Sequence, residues 1–131
     1  MNKDIKLPHD GMILVSDGRK ALFLKNAGDA VFPNFQVERV LQAEDNSLSH
    51  EQPDWKDQSE RKFAAEVAEA ANAVAARPEV KAFVVAAPPR TLSQLRTHFS
   101  EAVKQKIRAE VNKDLTKHPV YEIEQHLTAR A

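Results

Sequence analysis

Residues 82–92 read Ala-Phe-Val-Val-Ala-Ala-Pro-Pro-Arg-Thr-Leu. Six apolar residues in a row, Ala82 to Ala87, lie between Pro78 and the pair Pro88-Pro89. That is the length of a strand, and an unbroken apolar strand is one buried on both faces. The two prolines end it sharply. Thr91 then stands where it can cap a helix, with Gln94 three positions on as its capping-box partner. Leu92, Leu95, Phe99, Ala102 and Val103 give that helix an apolar stripe. A covered strand feeding a helix is the unit from which α/β sheets are built.

Working back from it, Gln58 to Arg77 reads as an Ala-rich helix with Phe63, Val67, Ala70 or Ala71, and Val74 at steps of three and four. Pro78 stops it. Before it, Asp45 to Asp57 is a polar connection that carries the lone Trp55. Further back the pattern turns to strands. Met12 to Ser16 ends in Asp17-Gly18, a two-residue hairpin signal because Gly accepts positive φ. Arg19 to Lys25 returns, and Asn26 to Asp29 is the next turn. Phe35 to Glu44 alternates as a third strand, with Phe35, Val37, Arg39 and Leu41 on one side and Gln36, Glu38, Val40 and Gln42 on the other. Residues 1–10 read as a loose lead-in, and 11–131 as a single α/β domain.

Working forward, Ile107 to Leu115 reads two ways. Val103, Ile107, Val111 and Leu115 keep a helical spacing, whereas Ile107, Ala109 and Val111 alternate as an edge strand would. The strand is preferred because Asn112-Lys-Asp114 has the composition of a stop. Pro119 opens a closing helix with Val120, Ile123 and Leu127 as its stripe. The order is β-β-β-α-β-α-β-α, which predicts a mixed sheet flanked by helices and resembles the ribonuclease H-like architecture.

The composition removes several chemistries. The 131 residues contain no Cys, so a disulfide, a thiolate metal site and a cysteine nucleophile are all excluded. Met12-Ile-Leu-Val15 is the first apolar run, too short for a secretory or membrane-spanning segment, and a cytoplasmic location without membrane insertion is expected. The glycines stand at 11, 18 and 28 and form no phosphate loop. A ribonuclease H-like nuclease needs converging carboxylates. Asp17 has the role of a turn residue, Glu66 and Glu69 sit among other helix charges, and the buried strand ends Ala86-Ala87-Pro88-Pro89 without an acid. His9, His50, His98, His118 and His126 form no ligand motif, and Glu122 with His126 shares only a helix face. No enzyme, cofactor or metal is expected, with a degenerate metal-dependent hydrolase as the last alternative.

Charge is more telling in its distribution than in its sum. Nineteen Lys and Arg balance nineteen Asp and Glu. Yet residues 38–69 hold nine acids against four bases, and residues 90–117 seven bases against three acids. Arg90, Arg96, Lys104, Lys106, Arg108 and Lys113 therefore form a candidate basic face. The place where Arg90 meets a helix N-terminus suits an anion. Aromatic residues suited to base stacking are scarce there, with only Phe99 and Tyr121 in range, so phosphate contact is expected and base readout is not.

Phe83-Val-Val-Ala-Ala-Pro-Pro-Arg-Thr-Leu92, Leu95-Arg96, Val111-Asn-Lys-Asp-Leu-Thr116 and Tyr121-Glu-Ile123 together resemble the bacterial family of proteins required for attachment to host cells. Val15-Ser-Asp17-Gly-Arg19 and Phe63-Ala64-Ala65 fit it more loosely. The resemblance marks Asp17, Gly18, Arg19, Pro88, Pro89, Arg90, Leu92, Arg96, Lys113, Asp114, Leu115 and Thr116 as motif positions. One departure is the absence of a His in Asp57-Gln-Ser-Glu60-Arg-Lys-Phe63, where the family often carries one. That family is in turn similar to the middle domain of eukaryotic and archaeal peptide-chain release factors and Pelota. Release factors carry a Gly-Gly-Gln loop before the long helix, whereas Asn46 to Gln58 has no Gly. The resemblance thus implies the scaffold without peptidyl-tRNA hydrolysis. It implies a non-catalytic binding module whose partner is the ribosome or RNA, or alternatively a protein partner in attachment or surface processes.

Overall fold

The computed structural model describes residues 6–43 and 55–128, with the side chains of 55–57 excepted. Nine elements follow in chain order: β1 (Met12–Ser16), β2 (Lys20–Asn26), β3 (Phe35–Gln42), α1 (Trp55–Ala75), β4 (Phe83–Ala86), α2 (Pro89–His98), α3 (Glu101–Lys106), β5 (Ile107–Val111) and α4 (Val120–Thr128). The five strands form one mixed sheet in the order β3-β2-β1-β4-β5. The β1–β2 and β2–β3 pairs are antiparallel; β1–β4 and β4–β5 are parallel. Every residue of β4 is buried, as its unbroken apolar run requires. The preference for a strand over 107–111 is borne out.

Strand alternation splits the core into two clusters. On one face, Met12, Leu14, Phe23, Phe83 and Val85 meet Phe63, Val67, Ala68 and Ala71 of α1 with Leu92, Leu95 and Val103 of α2 and α3. On the other, Ile13, Val15, Leu22, Leu24, Val84 and Val111 meet Leu115 and Ile123 and Leu127 of α4. The Ala face of α1 lets that helix lie close to the sheet. Leu7 also packs into the second cluster, 3% exposed, and its carbonyl accepts from buried Asn26 Nδ2 at 2.8 Å. Residues 6–10 are thus fastened to the sheet, not loose.

Four expectations are corrected. Pro89 sits in the first turn and Pro88 is the N-cap, so α2 begins before Thr91, which lies buried inside it and caps nothing. The helix expected to continue through Ala102 and Val103 is broken instead: Phe99 is extended (φ −67°, ψ 137°), and Ser100 Oγ caps α3 by accepting from Val103 N–H at 3.3 Å. Asn72 of α1 supports the break, donating to His98 O at 3.2 Å and accepting from Ser100 N–H at 2.8 Å. The order therefore has one more helix than expected, within the same architecture. In β3 the register shifts between Phe23 and Leu24, which pair with Arg39 and Val37, so Glu38 is a bulged residue. Val37 and Val40 consequently share the α4 side, where alternation alone would separate them. Lastly, no described glycine has positive φ. The Asp17-Gly18 turn is closed by the Asp17 carboxylate instead.

The helix α1 also begins at Trp55, inside the expected connection, and ends at Ala75 because a residue before proline is driven out of the helical region. The rest of that connection, 44–54, lies outside the described residues, as does His50. No helix among the described residues is long and apolar enough to cross a membrane.

Candidate nucleic-acid interface

The parallel strands β1, β4 and β5 end at one side of the sheet, the side at which open α/β sheets place ligands. Three motif segments arrive there. At the end of β1, Asp17 Oδ1 accepts from the backbone N–H of Arg19 and of Lys20, both at 2.7 Å. Its Oδ2 accepts from Thr116 Oγ1 at 3.0 Å. The same hydroxyl lies 2.6 Å from Asp114 Oδ1, which also accepts Thr116 N–H at 3.0 Å. A hydroxyl has one proton, so two carboxylates compete for it. The turn after β1 and the segment after β5 are thereby tied across 99 residues of chain. Between them Ala87 N–H donates to Val111 O at 3.0 Å, and Pro88, Pro89 and Arg90 open α2.

Of the twelve motif positions, nine therefore gather at this end: Asp17, Gly18, Arg19, Pro88, Pro89, Arg90, Lys113, Asp114 and Thr116. Leu92 and Leu115 serve the core, each 1% exposed. Gly18 lies against α1, where a Cβ would stand 2.8 Å from the Glu60 carboxyl group. Three acids thus border this end, but no three His, Asp or Glu among the described residues are placed to hold a metal ion.

The six basic residues differ in what they bond. Arg96 is exposed on α2 and makes a forked pair with Glu110 of β5, Nε to Oε1 at 3.0 Å with Nη2 on the same carboxylate. That hydrogen bond, with the charge behind it, raises the guanidinium pKa further. Lys106 Nζ donates to Ala75 O at 2.5 Å, so this side chain closes the C-terminus of α1. Lys104, Arg108 and Lys113 are exposed and form no ion pair among the described residues. Arg90 is exposed at the start of α2. Lys104, Arg108 and Lys113 form a strip along the β5 edge, with Lys104 and Arg108 near the start of the strand and Lys113 past its end. In its flank lies a groove of 330 Å³ lined by Arg96, Phe99, Lys104, Ile107 and Glu110.

Glu122 and His126 share a helix face, as expected, but Glu122 bonds to His118 Nδ1, at 2.8 Å, and His118 meets the edge of His126 with ring centroids 5.0 Å apart. The His118 hydrogen bond holds Glu122 below the usual carboxylate range. The i, i+4 spacing of His118 and Glu122 was the available signal, hidden because Pro119 separates His118 from the helix.

Residues 42–127 match the family described as protein required for attachment to host cells. The chain belongs to that family. The matched segment runs from the last residue of β3 into α4 and takes in the 83–92 and 111–116 motifs. The fold is similar to the crystal structure of an archaeal translation termination factor, with a TM-score of 0.55 and 14% identity over 90% of this chain. The alignment covers 35% of that factor, so the chain spans about a third of it. At this identity the likeness concerns the fold alone, and it bears out the expected release-factor-like architecture. No match was found among curated proteins.

Proposed function

We propose that this chain is a non-catalytic binding module of the attachment family that holds RNA, as naked strand or on the ribosome, in the cytoplasm. The observation that carries this is the β5 edge, where Lys104, Arg108 and Lys113 stand exposed without ion pairs among the described residues, in a chain of zero net charge. Cations left unneutralised along one edge suit a string of phosphates, because each phosphate contact releases counterions. The fold shared with a translation termination factor supports the same partner. Arg96 and Lys106 are set apart, since their charges are already engaged within the protein.

The test is co-sedimentation with ribosomes across a salt series. Wild-type chain should pellet at low salt and be released as salt rises. The triple variant Lys104→Glu, Arg108→Glu, Lys113→Glu should stay in the supernatant throughout. A wild type that remains free at every salt concentration would refute the proposal. A second reading, a protein partner in attachment, is favoured by the opposite edge, where Val37 and Val40 are each 47% exposed and Phe32 is 75% exposed. Capture of a protein that needs Val40 but none of the three cations, with no RNA recovered, would support it instead.

A further inference from the structure

The groove beside β5 has a feature that charge counting does not show. Arg96 commits Nε and Nη2 to Glu110 and leaves Nη1 without a partner among the described residues. A guanidinium held by a forked carboxylate is a planar group fixed in place. It borders a groove of 330 Å³ with Phe99 and Ile107, the first 5% exposed and the second half-buried. That volume lies at the lower end of small-molecule sites. Lys104 stands at the same groove, and Arg108 is the next exposed cation along the strand.

We propose that this groove receives one unstacked nucleobase of a single RNA strand, laid on the Arg96 plane, with the flanking phosphates met by Lys104 and Arg108. The proposal rests on the RNA reading above and narrows it from polyanion to single strand. Three observations point to this occupant. Unstacked bases are held on Arg planes as well as on aromatic rings, so the scarcity of aromatics on this face is no obstacle. The groove has an apolar side and a charged rim, which is the duality of a base attached to phosphate. Its net charge is positive, because Arg96 and Lys104 outnumber Glu110. A duplex keeps its bases stacked and offers the groove no free base face.

The experiment is fluorescence anisotropy with a labelled single-stranded RNA of about ten nucleotides and an abasic strand of equal length and charge. Wild type should bind the base-bearing strand roughly ten-fold more tightly than the abasic one, the worth of one stacked base. Arg96→Lys keeps the charge and loses the fixed plane, so it should erase that preference while leaving abasic binding within about two-fold and the salt dependence unchanged. Lys104→Glu should weaken both strands. A circular-dichroism melt of each variant confirms that it is folded. Equal wild-type affinity for the two strands, or a preference that survives in Arg96→Lys, overturns the groove and leaves the phosphate strip standing. Failure of wild type to bind either strand overturns both.

Discussion

Thr116→Val tests whether the two motif segments at the carboxyl end are fastened to each other. Valine keeps the shape of threonine and removes the hydroxyl that lies 3.0 Å from Asp17 and 2.6 Å from Asp114. Thr116 is 5% exposed, so the methyl that replaces the hydroxyl is not penalised by water. A hydrogen bond to a charged acceptor contributes about 1.5–3 kcal/mol, and Asp17 is only half-buried, which lets water recover part of the loss. The expected cost is about 1.5 kcal/mol, or roughly 5 °C in Tm. Asp17→Ala loses two further bonds, from Arg19 N–H and Lys20 N–H, and should cost about 2–3 kcal/mol. Because the two variants break one bond in common, the double variant should cost less than the sum, by about 0.5–1 kcal/mol. The coupling of Thr116 to Asp114 should be at least as large, given the shorter distance. Urea titrations of the four proteins in each cycle supply the numbers. Additivity of Asp17 and Thr116 within about 0.3 kcal/mol would show that the hydroxyl serves Asp114 alone, and that the segments merely lie side by side.

Three other outcomes are expected. Lys106→Met removes the donor that closes α1 at Ala75 O and should cost about 1 kcal/mol in a thermal melt while leaving RNA affinity within about two-fold. Leu95→Ala empties a wholly buried position between α2 and the sheet and should lower stability by about 2–5 kcal/mol in urea. Asp29 is held below the usual carboxylate range chiefly by the backbone N–H of Phe32 and then that of Val31, so its stabilising effect is complete above the unfolded range near about 4 and is lost as pH falls through the folded value. The Tm difference between wild type and Asp29→Asn should therefore be constant near neutrality and shrink in acid. A difference that grows in acid would contradict the assignment.

What could be read in advance follows a physical line. The 83–86 strand, α1 and the opening hairpin are set by local pattern: an apolar run between prolines, an Ala-rich stripe, a turn dipeptide. The break at Phe99–Ser100 is not local, because its exposed backbone groups are met by Asn72 from another helix, 26 and 28 residues away. The bulge at Glu38 is likewise invisible to alternation, since it belongs to the pairing with β2 and to the Glu38–Arg77 ion pair at 3.0 Å. Which cations are already engaged within the protein is hidden for the same reason. Arg96 and Lys106 look like any surface cation in the sequence, and only the fold brings Glu110 and the end of α1 to them. Counting aromatics also passes over the Arg96 guanidinium, a planar group that Glu110 holds in place.

The sheet order explains why a chain with no net charge can still present one basic edge. From β1 the sheet grows outward in both directions, β2 and β3 one way, β4 and β5 the other. Helix α1 lies between the two sides: Ala70, Val74 and Arg77 line a cavity with Phe23, Glu38 and Arg39, while Ala75 O accepts from Lys106. Helices α2 and α3 serve the β4–β5 side, where Arg96 reaches Glu110. Of the described acids of residues 38–69, Glu38 pairs with Arg77 on the β2–β3 side and Glu60 lies against Gly18 at the end of β1. At physiological ionic strength charges more than about 8 Å apart are largely screened from one another. A sheet of five strands at about 4.8 Å spacing is wider than that. A polyanion approaching β5 therefore meets its local cations and is largely screened from the Glu38–Arg77 pair across the sheet. Moving the imbalance to a single uniform surface would keep the net charge at zero and abolish the edge.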